Sequence, residues 1–175
     1  MKTLKVYTRW GVLVLLALLA ITLHAVALNQ HSGEIVGKDW KITPTGGNAF
    51  RGSNATGAVS IEGTVICVGP TAGAVVMASA DTHPCGVFLE SGISDGERIW
   101  TTVSGPAYVL LEDGTGAARG DWLMTSSQPG RAIANTKPTA LGIPELYQHQ
   151  RQIGYAVEDV APGVDVMCLV FLKLI

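Results

Sequence analysis

Arg98-Ile99-Trp100-Thr101-Thr102-Val103-Ser104-Gly105-Pro106-Ala107-Tyr108-Val109-Leu110-Leu111-Glu112-Asp113-Gly114 carries two short apolar runs rich in β-branched and aromatic residues. Such runs, bounded by turn-forming residues, read as strands at 98–103 and 107–111. Gly105-Pro106 reads as the break between them, and Asp113-Gly114 as the next turn. Working outward, the same grammar predicts strands at 58–68, 73–80, 85–90, 121–125, 130–134, 153–158 and 164–174. Their breaks are Gly69-Pro70, His83-Pro84, Ser94-Asp95-Gly96 and Pro129-Gly130. Strands at roughly ten-residue spacing, with no helical period between them, predict an all-β small barrel or sandwich of short antiparallel strands.

Composition agrees. The 175 residues include 21 glycines and 8 prolines, with 6% aromatic and 15% charged residues. A net charge of −2 excludes a strongly basic nucleic-acid binder. An apolar content of 47% excludes a disordered chain. Cys67, Cys85 and Cys168 fit no metal-ligand spacing and read as buried thiols.

The N-terminus is a separate unit. Lys2, Lys5 and Arg9 precede an uncharged apolar run from Gly11 to Leu28, which ends in Ala25-Val26-Ala27. Three readings stand: a secretory signal cleaved after Ala27, a membrane anchor through residues 11–28, or an apolar helical arm packing on a partner. Without residues 1–27 the body keeps nine basic and all fourteen acidic residues, a charge of −5. Residues 29–57 are polar and glycine-rich, with one short strand near Ile35 to Ile42, and read as an extended arm or linker. The resulting division is 1–28, 29–57 and a β-domain at 58–175. Within that domain, 135–152 is a long excursion with a helical turn near Ile143 to Gln152, a length associated with contacts. The final run, Val164 to Ile175, is apolar at nearly every position and is expected to be covered on both faces, by the core or by a neighbouring subunit.

Several motifs invite chemistry. Gly92-Ile93-Ser94-Asp95-Gly96 matches a nucleophile elbow, but Glu97 onward reads as strand where that motif needs a helix. His149 alone lies downstream as a base. Arg119-Gly120-Asp121 reads as a turn before a strand, and Asn54-Ala55-Thr56 as a fortuitous sequon. His83-Pro84-Cys85 offers two metal ligands where zinc needs three or four. Glu112-Asp113 and Glu158-Asp159 read as solvated turn acids. Trp100 and Trp122 sit in strands, in the core or at an interface. No catalytic, cofactor-binding or metal residue is assigned, and no cofactor is expected.

Taken in order, these elements resemble the head-decoration, or capsid-cement, proteins of tailed phages. The correspondence runs from about Gly57 to Leu174. It comprises Cys85-Gly86-Val87-Phe88-Leu89-Glu90, Asp95-Gly96-Glu97, Val103 to Val109, Gly120-Asp121-Trp122-Leu123, Gly130-Arg131-Ala132, and Ile153-Gly154-Tyr155-Ala156-Val157-Glu158 before the apolar end. The resemblance implies a non-enzymatic structural protein, often trimeric, that clips onto a major capsid protein lattice at the virion surface. The alternative is an exported or membrane-anchored bacterial β-domain that binds a surface partner. Expected partners are thus the lattice and further copies of the chain as a homotrimer or other homo-oligomer, with membrane contact through 11–28 and no nucleic acid.

Overall fold

The computed structural model describes residues 39–135 and 151–174. The leader or anchor, residues 29–38 of the arm, and the predicted turn of helix near Ile143 lie outside the described residues, apart from Arg151 and Gln152. The described chain is all-β, with strands β1 (Trp40–Ile42), β2 (Asn48–Asn54), β3 (Val65–Val68), β4 (Ala74–Met77), β5 (Gly86–Phe88) and β6 (Arg98–Leu110). Then follow β7 (Thr115–Ala117), β8 (Trp122–Thr125), β9 (Ala132–Asn135), β10 (Gln152–Ala156), β11 (Val160–Gly163) and β12 (Met167–Lys173).

Five strands close on themselves. The order β2-β4-β3-β5-β6 returns to its start through the β2–β6 pairing, which forms a small barrel. Its interior takes one apolar side chain from each wall: Phe50, Val75, Ile66, Phe88 and Ile99. The sheet continues from β6 through β12, β10 and β8 to β9. A parallel bridge between Leu111 and Ala132 brings β9 back beside the end of β6. This second half packs Val109, Leu111, Leu123, Ile153, Cys168, Val170 and Leu172 around Val65, Cys67 and Val87 from the first barrel. β3 therefore has two buried faces, Ile66 turning inward and Val65 and Cys67 outward, which is why Val65-Ile66-Cys67 is apolar without alternation.

Three sequence expectations need correction. The first concerns Gly105-Pro106, which does not end a strand. β6 runs for 13 residues through it, bonded to β2 and β5 over its first half and to β12 from Ser104 to Leu110. The second concerns the arm. Among its described residues, β1 and β2 belong to the sheet, and β2 pairs with β1, β4 and β6. Its polar sequence masked this, because only Ala49, Phe50, Gly52 and Asn54 turn toward packed surroundings while Arg51 faces out. The β2–β4 pairing is moreover parallel, in a sheet expected to be antiparallel throughout. The third concerns 58–68, where only Val65–Val68 is strand and the residues before it form a loop. The β7–β11 ribbon was not anticipated; Gly116 and Pro162 obscure both strands.

Candidate interaction surface

The apolar C-terminal strand alternates in space although its sequence does not. Cys168, Val170 and Leu172 are buried, whereas Met167 and Phe171 remain 41% and 54% exposed and Leu169 is half-buried. In the chain as described, the expected cover on both faces is present on one.

Register aligns the outward side chains into rows. Trp122 of β8 lies opposite Tyr155 of β10, Tyr155 opposite Phe171 of β12, and Phe171 opposite Pro106 of β6. The Trp122 and Tyr155 rings meet edge to face, with centroids 5.0 Å apart and planes at 86°. A second row sets Leu169 opposite Tyr108, flanked by Val157, whose N–H donates to the Leu169 carbonyl at 2.8 Å. A third sets Met167 opposite Leu110, beside Gly63. No charged side chain interrupts these three rows; in the next one Lys173, exposed at the end of β12, lies opposite Ser104. Antiparallel sheets with one solvated face normally place polar residues there, so this face departs from the pattern at position after position.

Two polar devices brace the face. At its margin, Glu158 accepts a hydrogen bond from the Leu169 N–H at 2.8 Å, which satisfies a backbone donor of β12. At one end, Arg131 donates to the Leu111 carbonyl at 2.8 Å and to Asp113 at 2.9 Å, and also pairs with Asp165. Asp165 adopts φ 52°, a left-handed conformation that a short acidic side chain tolerates. One guanidinium thereby ties the start of β9, the β6–β7 turn and the turn before β12.

A second, smaller cluster lies on the outside of the first barrel. Lys41 stands 4.4 Å from the Trp100 ring centroid, Arg51 lies 5.7 Å from it, and Lys41 is 3.8 Å from Glu90. Desolvation holds the Lys41 ammonium below the usual lysine range. Arg98 pairs with Asp39 on the same flank. These are partnered ions stacked on a half-buried ring, and they brace β1 against β2 and β6.

The sequence motifs fall apart from one another. Ser94 is exposed in a turn between β5 and β6, where its N–H donates to Glu97 and its carbonyl accepts from the Glu97 N–H. A strand follows it, without the strand-to-helix elbow, and His149 lies outside the described residues. In Arg119-Gly120-Asp121, the Asp121 carboxylate accepts from the Ala118 N–H at 2.8 Å and closes the turn. The sequon asparagine is buried. Asn54 Nδ2 donates to the carbonyls of Ala58 and Ile93, and Thr56 Oγ1 donates to Asn54 Oδ1 at 2.7 Å. His83 is exposed beside half-buried Cys85, whose thiol is pushed up to about 11 by burial. Cys168 is pushed up to about 11 by burial and by the neighbouring Glu158. Among the described residues, no group of three metal-ligating side chains occurs and no helix is long and apolar enough to cross a membrane. An open groove between β7 and β11 is lined mainly by Gly116, Ala117, Val160 and Pro162, with Asp121 and Asp159 at its edge.

No family model matches the chain. No curated protein matches it either. Among solved structures, it is similar to the head fiber gp8.5 N base in bacteriophage phi29, at 16% identity and a TM-score of 0.49, covering 71% of this chain and 92% of that one. It is also similar to a chain in the capsid of Myoviridae phage XM1, at 20% identity and a TM-score of 0.43, covering 82% of this chain and 91% of that one.

Proposed function

We propose that the chain is a non-enzymatic structural protein that binds and stabilises a viral capsid lattice, sitting at the virion surface as a self-associating decoration protein. The observation that carries the assembling, self-associating part of this reading is the largely apolar outward face of β8, β10, β12 and the second half of β6, with Lys173 at the end of β12. A solvated sheet gains nothing from Trp122, Tyr155, Phe171, Leu169 and Tyr108 in adjacent rows, whereas an assembling protein gains the free energy of burying them. The ordered series of glycine turns and strands that resembles capsid-cement proteins supports the same reading. The named motifs serve the backbone instead of converging on a reacting centre: Ser94, Asp121 and Asn54 each stabilise a turn.

The test is composition of native particles. The chain is expected to co-purify with intact capsids at a fixed copy number per shell unit and to rebind to stripped particles. Absence from purified particles together with failure to rebind would overturn the proposal. A second reading, an exported or membrane-anchored bacterial surface β-domain, is favoured by the apolar run ending in Ala25-Val26-Ala27. An intact mass beginning at Leu28 in protein from its native source would support that reading over assembly in the cytoplasm.

A further inference from the structure

We infer that the outward face of β8, β10, β12 and the second half of β6 is where one copy of this chain docks on another. The inference deepens the reading of the chain as an assembling structural protein, because it assigns this face to copy–copy contact and leaves the lattice to a different surface.

The first ground is area. Tyr108 (42%), Val157 (41%), Met167 (41%) and Phe171 (54%) are the most exposed members of the three rows. At about 150–250 Å² for a whole aromatic side chain, and somewhat less for the others, they offer roughly 350 Å² of exposed surface. The partly exposed Trp122, Tyr155, Leu169 and Pro106 bring the face to roughly 400–500 Å² on the same scale. A stable interface buries about 800 Å² per partner, a little over half of it apolar. The face therefore supplies about the apolar share that one side of such an interface needs.

The second ground is charge. The body is acidic, and two copies of an acidic surface repel. The three rows hold no carboxylate, ammonium or guanidinium. Lys173 stands exposed beyond Phe171, opposite Ser104 at the end of the face, where its long side chain can keep the ammonium in water when two copies meet. The side-chain polar groups within the rows are the Tyr108 and Tyr155 hydroxyls and the Trp122 indole N–H. A phenol both donates and accepts, so the tyrosines of one copy can satisfy those of another. A surface built to select a different protein would be expected to carry several charges that give specificity and register; on the outward side of β12 the charge is Lys173, at the strand's end.

The experiment uses the full-length chain and hydroxyl-radical footprinting over a hundredfold range of concentration, with sedimentation velocity in parallel. Oxidation of Tyr108, Met167 and Phe171 is expected to fall at least fivefold as the oligomer forms, while Val68, 73% exposed on the first barrel, keeps its rate. Phe171→Arg is expected to weaken self-association at least a hundredfold with an unchanged circular dichroism spectrum, and Val68→Arg to leave it intact. If Phe171→Arg does not fold, Tyr108→Asp serves the same comparison, and the footprint of the unaltered chain stands without either variant. Unprotected Tyr108, Met167 and Phe171 in an oligomer, or a chain that stays monomeric throughout, overturns the inference. The capsid reading fails separately: an oligomer that protects this face yet never binds particles refutes the lattice role and leaves the copy–copy contact standing. Conversely, a monomeric chain that binds particles and loses that binding on Phe171→Arg gives the face to the lattice and sinks the inference.

Discussion

Gly105 meets Gly47 backbone to backbone: a Cβ on Gly105 would lie 2.8 Å from the Gly47 Cα, and one on Gly47 would lie 2.8 Å from the Ser104 carbonyl oxygen. The contact sits at the middle of β6, where the strand passes from the closed barrel to the second half of the sheet. Gly105 has φ 82° there, a left-handed conformation that glycine takes without strain, and β6 keeps an unbroken register with β12 through it.

Gly105→Ala is accordingly expected to destabilise the fold by about 3 kcal/mol, combining the cost of a left-handed alanine with a clash against backbone that has no rotamer to yield. Equilibrium urea denaturation checks this. A loss below about 1 kcal/mol would mean that the two glycines are not in contact in solution.

Thr101 faces the interior of the first barrel, fully buried, and its hydroxyl lacks a hydrogen-bond partner. Thr101→Val keeps the shape and removes the unsatisfied group, so a gain of about 1 kcal/mol and a rise of a few degrees in Tm are expected by calorimetry. A lower Tm would indicate a buried water or another partner for the hydroxyl.

Arg131 is 16% exposed at its side chain and binds Leu111, Asp113 and Asp165 at once. Arg131→Met should cost about 2 kcal/mol, since it leaves the Leu111 carbonyl and the carboxylates without their charged donor. Asp165→Gly should cost less, because glycine relieves the positive φ at 165 while removing a largely exposed partner. Chemical denaturation of the two variants side by side gives the ranking, and equal losses would contradict it.

Cys85 and Cys168 both titrate near pH 11 in the folded protein, above the ordinary thiol value, chiefly because burial disfavours the thiolate. The unfolded chain therefore loses these protons first. Stability from the two thiols is complete below about pH 8.5 and is lost as pH rises toward 11. Lys41, lowered by desolvation, acts in the opposite sense over part of the same range. The prediction is therefore placed on a difference: the decline in urea midpoint between pH 8.5 and 11 should be shallower in Cys85→Ala/Cys168→Ala than in the unaltered protein. Native thiols should also react slowly with a disulfide reagent at pH 8 and rapidly after denaturation.

Most turns were legible because each is a local event. Gly96, Gly114 and Gly130 all take positive φ at breaks expected from their sequence context, and five of the six expected breaks separate strands. Gly105-Pro106 carries the same letters and does the opposite. Its neighbours β12 and Gly47, both distant in sequence, supply the hydrogen bonds and the space that keep the strand running. β2 was missed for a related reason: a strand with Arg51 outward and glycine inward shows no alternation, and its pairing with β1, β4 and β6 replaces the signal.

The candidate surface divides in the same way. Residue type alone determined that the C-terminal strand is apolar on both sides and that tryptophan and tyrosine lie in strands, because hydrophobicity and β-propensity belong to each residue by itself. Which side meets the core was decided by the register of β12 against β6 and β10, and so was the alignment of Trp122, Tyr155 and Phe171 in one outward row. A one-residue slip would exchange the two sides, and only pairing across the sheet selects between them.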